Sequence, residues 1–158
     1  MLDEINEPEI IIRKHDRRLD LHDRGYLVKT FSVALGSAPA GDKELEGDGR
    51  TPEGEFYVFT KNSESKFHLS LGLSYPSSKD AARGLAAGMI NETEHARIVR
   101  AIDDGKMPLQ KTALGGEIYI HGGGTERDWT EGCVAMKNEE IEELFRAIPV
   151  GTKVTILP

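Results

Sequence analysis

Apolar residues alternate with polar ones along most of this chain, which is the period of a strand with one face against a core. Ile10–Arg13 is a short β-branched run and Leu19–His22 alternates, so two strands flank a polar turn at His15–Arg17. A second turn is predicted at Arg24–Gly25. From Tyr26 to Leu35 the set Leu27, Lys29, Phe31, Val33 interleaves with Val28, Thr30, Ser32. These three runs predict an antiparallel meander. Further strands are expected at Glu55–Thr60, Phe67–Leu73, Glu117–Ile120 (ending at His121) and Thr152–Leu157. Helical spacing of Ala, Leu, Ile and Val is confined to Ser78–Gly88 and Asn91–Asp104, then a short helix Glu139–Ala147 predicted to be capped by Asn138. Asn91 with Glu94 three positions on forms a capping box, and Gly105 and Pro108 end that helix. Strands dominate and follow one another in hairpin order, so the expected fold is mainly β with short inserted helices.

At 158 residues the chain has the size of a single domain, 1–158, with a core from about 10 to 157. It shows no internal repeat, low-complexity tract or linker. A net charge of −7, with basic residues scattered among acids, argues against nucleic acid as a partner. No apolar run approaches the roughly 20 residues that span a bilayer, so no membrane span is expected. Met1–Glu9 is acidic and polar, without the basic start and apolar stretch of a signal peptide. The single cysteine, Cys133, excludes an intramolecular disulfide and a site built on several thiolates. His15, His22, His68 and His95 sit in no ligand spacing and read as structural or surface residues, so neither a metal nor a cofactor is expected.

Chemistry concentrates near the C-terminal third. In Ile118–Thr125 a histidine, His121, ends an apolar strand just before Gly122, Gly123 and Gly124, whose backbones suit a site wall. In Trp129–Met136 the lone cysteine follows Gly132 at a tight turn into the final helix. A nucleophilic thiol needs a base to form thiolate and backbone N–H groups to hold an oxyanion; His121 and the Gly132–Cys133 turn supply both types. By themselves these residues fit equally a small buried thiol and a satisfied histidine. The loop Gly47–Gly54 forces a chain path into a strand and offers Arg50 for a carboxylate. It lacks the pattern of a phosphate-binding loop.

Taken together, these segments resemble the L,D-transpeptidase catalytic domain, the YkuD family. His121 and Thr130-Glu131-Gly132-Cys133-Val134 stand where that family has its strand-end histidine and its Ser/Thr-His-Gly-Cys signature. Gly41-Asp42-Lys43 with Gly47–Gly54, and Leu71–Pro76, resemble its upstream segments, and the similarity runs from about Ile10 to Leu157. The resemblance implies a β-sandwich-like fold and a peptidoglycan L,D-transpeptidase. Cys133 would attack the L,D-linked carbonyl of a tetrapeptide stem to form a thioester. His121 would serve as base and acid, the Gly122 carbonyl would orient it, and Gly132 would give an oxyanion N–H. Arg50, Tyr75, Trp129, Thr130 and Glu131 are the implied substrate contacts. Peptidoglycan stem peptides are the implied partners, carbapenem-type β-lactams the implied covalent inhibitors, and the cell envelope or periplasm the implied location. Hydrolysis of the same stem, as an L,D-carboxypeptidase, and a non-catalytic wall-binding module remain alternatives. Glu131 stands where the family usually has histidine, and Ala135 where arginine often follows.

Overall fold

The computed structural model describes residues 4–158, so the acidic N-terminal stretch begins outside the described residues. Eight strands form it: β1 (Pro8–Arg13), β2 (Arg18–Asp23), β3 (Tyr26–Ser32), β4 (Gly54–Ser65), β5 (His68–Leu73), β6 (Tyr119–His121), β7 (Val134–Ala135) and β8 (Lys153–Leu157). They make one curled sheet in the order β3-β2-β1-β8-β4-β5-β6-β7. The predicted meander is present, since β1 pairs β2 and β2 pairs β3, both antiparallel. The C-terminal strand β8 enters the middle, parallel to β1 and antiparallel to β4. Each pairing puts alternate side chains inward, Ile10 and Ile12 from β1 and Val154 and Ile156 from β8, all essentially without solvent contact.

The structure departs from the sequence pattern at both the end and the face of β3 and at the start of the last helix. β3 stops at Ser32 instead of Leu35, because the chain turns away to bond the far end of the sheet. Ala34 and Ala135 exchange backbone hydrogen bonds at 2.9 Å, and the Ser37 amide donates to the Thr130 carbonyl at 2.9 Å. These bonds satisfy groups at both ends of the strand order and curl the sheet toward closure. On β3 only Phe31 is buried, and Leu27 and Val28 both face solvent, after a register shift in its pairing at Leu21/His22. The third departure is α3 (Asn138–Ala147), whose N-cap is Lys137 without a side-chain cap bond. Asn138 is instead the first helical residue, and its Oδ1 accepts from the Gly123 N–H at 2.9 Å.

The insert forms α1 (Ser78–Ala86) and α2 (Glu92–Asp103), both opened by capping boxes, on Ser77 with Asp80 and on Asn91 with Glu94. Their apolar stripes meet each other in a small satellite core of Ala81, Ile90, Ile98 and Leu114. No residue of this insert lines the cleft described below. Among the described residues, no helix is long and apolar enough to cross a membrane.

Candidate active site

β6 is three residues long, held between β5 and β7, and it delivers His121 to the inner end of a cleft. His121 is 3% exposed. Its Nδ1 lies 2.5 Å from the Gly122 carbonyl oxygen. A carbonyl only accepts, so Nδ1 carries the hydrogen and Nε2 is left with its lone pair. Burial holds the imidazole below its usual range, partly offset by the Gly122 carbonyl, so the ring is neutral near pH 7.

Cys133 enters the same cleft immediately before β7. Its thiol donates to the Glu117 carbonyl at 3.3 Å, and its sulfur accepts from the Tyr119 N–H at 3.3 Å. Burial pushes the thiol up to about 11. The Tyr119 N–H works against that rise, while the Glu117 and Glu131 carboxylates add to it. The resting group is therefore a thiol. Among the described residues no hydrogen bond joins it to His121, although both line one cavity of about 410 Å³ with Tyr119, Glu117, Glu131 and Phe67.

The turn that carries Cys133 is locked from behind. Thr130 is buried, and its hydroxyl donates to the Cys133 carbonyl at 2.7 Å while accepting the Gly132 N–H at 3.1 Å. The expected oxyanion donor at Gly132 is thus already engaged by Thr130 in this conformation. Gly132 has φ +145°, and a Cβ there would lie 2.8 Å from the Arg50 carbonyl oxygen. Gly36, on the strand extension that closes the sheet, is as crowded. Its Cβ would sit 2.2 Å from the Gly49 oxygen and 3.2 Å from the Gly132 Cα. The Gly47–Gly54 loop is therefore the backbone buttress of the nucleophile turn.

Charged side chains in turn hold that loop. Lys14, 3% exposed, donates to the carbonyls of Gly41 and Thr51 at 2.8 and 2.7 Å and to Glu53 at 3.0 Å. Asp48 accepts from the amides of Glu44, Leu45 and Arg50 and from Lys43, and these donors hold its carboxyl below the usual range against the opposing effect of burial.

The structure sorts the expected substrate contacts. Glu131 lies on the cleft wall. Trp129 stands beside it, with Nε1–H donating to the Gly124 carbonyl at 3.0 Å and its ring centroid 5.6 Å from that of His121. Thr130 is turned inward to the turn, as above. The Arg50 guanidinium lies against Gly41 and the Asp42 carbonyl and does not line this cleft. Tyr75 is a correction. It is fully buried against Phe56, with its hydroxyl donating to the Leu114 carbonyl at 2.7 Å, and it cannot touch a ligand.

Sequence reasoning missed Phe67, Tyr119 and Glu117. Phe67 carried a signal, since it is a large aromatic at the end of the polar run Thr60–Lys66. Tyr119 and Glu117 carried none, because they act through a backbone N–H and a carbonyl.

Comparison with known proteins places the chain in a family. The YkuD profile, described as the L,D-transpeptidase catalytic domain, matches residues 7–156. YqjB of Bacillus subtilis (strain 168), named an L,D-transpeptidase by inference, is 28% identical over 155 residues, covering 95% of this chain and 71% of its own. YafK of Escherichia coli (strain K12), named on the same footing, is 25% identical, and this chain spans only 46% of its length. Among solved structures, the helical cell shape determining protein Pgp2 of Campylobacter jejuni superposes with a TM-score of 0.66 at 22% identity, over 96% of this chain and 48% of that one. L,D-transpeptidase 1 of Mycobacterium tuberculosis, solved in complex with imipenem, shares the fold with a TM-score of 0.54 at 12% identity, over 95% of this chain and 58% of that one.

Proposed function

Since the chain belongs to the YkuD family of L,D-transpeptidase catalytic domains, we propose that residues 10–157 form one catalytic domain that acts on peptidoglycan stem peptides through Cys133. The observation that carries this reading is the meeting of a thiol and a neutral, carbonyl-oriented imidazole in one cleft. In the first half-reaction Cys133 Sγ attacks the carbonyl at the L,D linkage of a tetrapeptide stem. His121 Nε2 takes the thiol proton and passes it to the leaving amine of the terminal D-residue. The Gly122 carbonyl fixes the tautomer that makes Nε2 the base. The oxyanion falls to the Cys133 amide, with the Gly132 amide recruited if Thr130 releases it.

Because the resting thiol sits near 11, thiolate is not stored but made as the attack proceeds. In the second half-reaction an acceptor amine, drawn as a cation to Glu117 and Glu131, gives its proton to His121 Nε2. It attacks the thioester carbonyl as the neutral amine and forms the new amide, while the C–S bond breaks and Cys133 leaves to be reprotonated as the thiol. Work at the cell envelope follows from this substrate.

Incubation with a purified tetrapeptide-bearing muropeptide tests the proposal. Cross-linked or exchanged product supports transfer, and tripeptide alone makes the enzyme an L,D-carboxypeptidase. Carbapenem acylation followed by intact mass tests the nucleophile. A domain giving no product and no Cys133-dependent adduct is a wall-binding module, and the proposal fails.

A further inference from the structure

We propose that Phe67, at the tip of the β4–β5 hairpin, is a positioning residue that clamps the His121 imidazole; the inference rests on the reading of His121 as base. The Phe67 ring stacks on the imidazole with centroids 4.7 Å apart and planes 24° from parallel. Trp129 meets both rings edge-on, its centroid 5.2 Å from that of Phe67 and 5.6 Å from that of His121, so the three rings form one mutual cluster with Phe67 on the imidazole face. The Phe67 carbonyl also accepts the Gly122 N–H at 2.9 Å. One residue thus covers the ring and anchors Gly122, the residue whose carbonyl accepts from Nδ1.

The tip is itself fastened. Ser65 Oγ accepts the Phe67 N–H at 3.1 Å. His68, in the left-handed region at φ +73°, places Nε2 2.8 Å from Glu142 Oε1 on α3. Phe67 is 37% exposed, more than a core aromatic would be, so filling the interior does not account for its place. A stacked ring restricts rotation of the imidazole and keeps water from its face, which opposes the imidazolium form.

The charged and titratable groups facing that cleft are Glu64 and Lys66 on the hairpin, Glu117 just before β6, Tyr119 on β6, and Glu131 and Cys133 on the nucleophile turn. Phe67 also lines a neighbouring cavity with Glu126 and Arg127, so with its ring removed water and four carboxylates favour the imidazolium, and Lys66 and Arg127 oppose it. The His121 titration therefore moves up in pH, and the acid limb of kcat/KM moves with it. Loosened orientation of the base lowers kcat by roughly 10- to 100-fold with KM nearly unchanged.

The test is proton NMR titration of His121, assigned by loss of its signal in His121→Gln, in the wild type, Phe67→Ala and Phe67→Tyr, alongside pH profiles of muropeptide turnover. The NMR arm needs no substrate, so it stands if the substrate assignment fails. Phe67→Ala is expected to shift the titration upward and lower kcat, and Phe67→Tyr to restore both. Should Phe67→Ala not fold, Phe67→Leu serves with the same readouts. An unmoved titration in a folded variant overturns the proposal, as does a loss of turnover carried by KM alone, which would make Phe67 a substrate contact.

Discussion

Replacing Gly36 with alanine should disable the enzyme without touching the cleft. Gly36 lies behind the nucleophile turn, where an added Cβ would sit 2.2 Å from the Gly49 carbonyl oxygen and 3.2 Å from the Gly132 Cα. Both neighbours are backbone, so no side chain can rotate away. Bringing the Gly49 contact from 2.2 Å to beyond 3.0 Å takes at least 0.8 Å of movement, shared between the Gly47–Gly54 loop and the strand extension that bonds Thr130. Overpacking of this kind costs about 1–3 kcal/mol of stability. A displacement near 1 Å at a nucleophile costs about 100-fold in rate, equivalent to about 2.7 kcal/mol of barrier. The assay compares muropeptide turnover and the carbapenem acylation rate with thermal unfolding. Gly88→Ala is the control, since Gly88 has φ +72° and open space around it. It should lose about 1 kcal/mol or more to backbone strain and keep its turnover. Gly36→Ala turning over within twofold of wild type would refute the buttress.

Glu131→Gln removes a carboxylate that raises the Cys133 thiol, so the thiol falls below about 11 and small haloacetamides alkylate it severalfold faster at pH 7; an equal or slower rate refutes this. Lys14→Met strands the buried acceptors at Gly41 and Thr51 and the Glu53 carboxylate, and should cost about 3–5 kcal/mol by denaturant unfolding. A loss below about 1 kcal/mol would place Lys14 outside the scaffold. His121 is held below its unfolded value near 6.5, so its contribution is fully present above that pH and is lost as pH falls through the lower, folded value. His121→Gln should therefore flatten the fall of Tm between pH 7 and pH 5, and an unchanged slope contradicts the burial argument.

Local pattern determined much of this protein. Alternation located the strands of the meander, the Asn91–Glu94 spacing marked a capping box, and Gly132-Cys133 downstream of His121 marked candidate chemistry that the family resemblance made specific. These features depend on residues a few positions apart, and the chain's local preferences settle them. Tertiary structure decided the remainder. The parallel seat of β8 against β1 and the closure at Ala34–Ala135 are pairings between distant segments, which alternation does not encode. Arg50 and Tyr75 read as ligand contacts from their place in a resembling segment. Packing turned one against Gly41 and sank the other into the core. Asn138 has cap chemistry, yet Gly123 took its side chain. The hydrogen-bond partners of the Cys133 sulfur, the Tyr119 N–H and the Glu117 carbonyl, belong to the backbone, so no side-chain pattern announces them. Only the fold brings them to the sulfur.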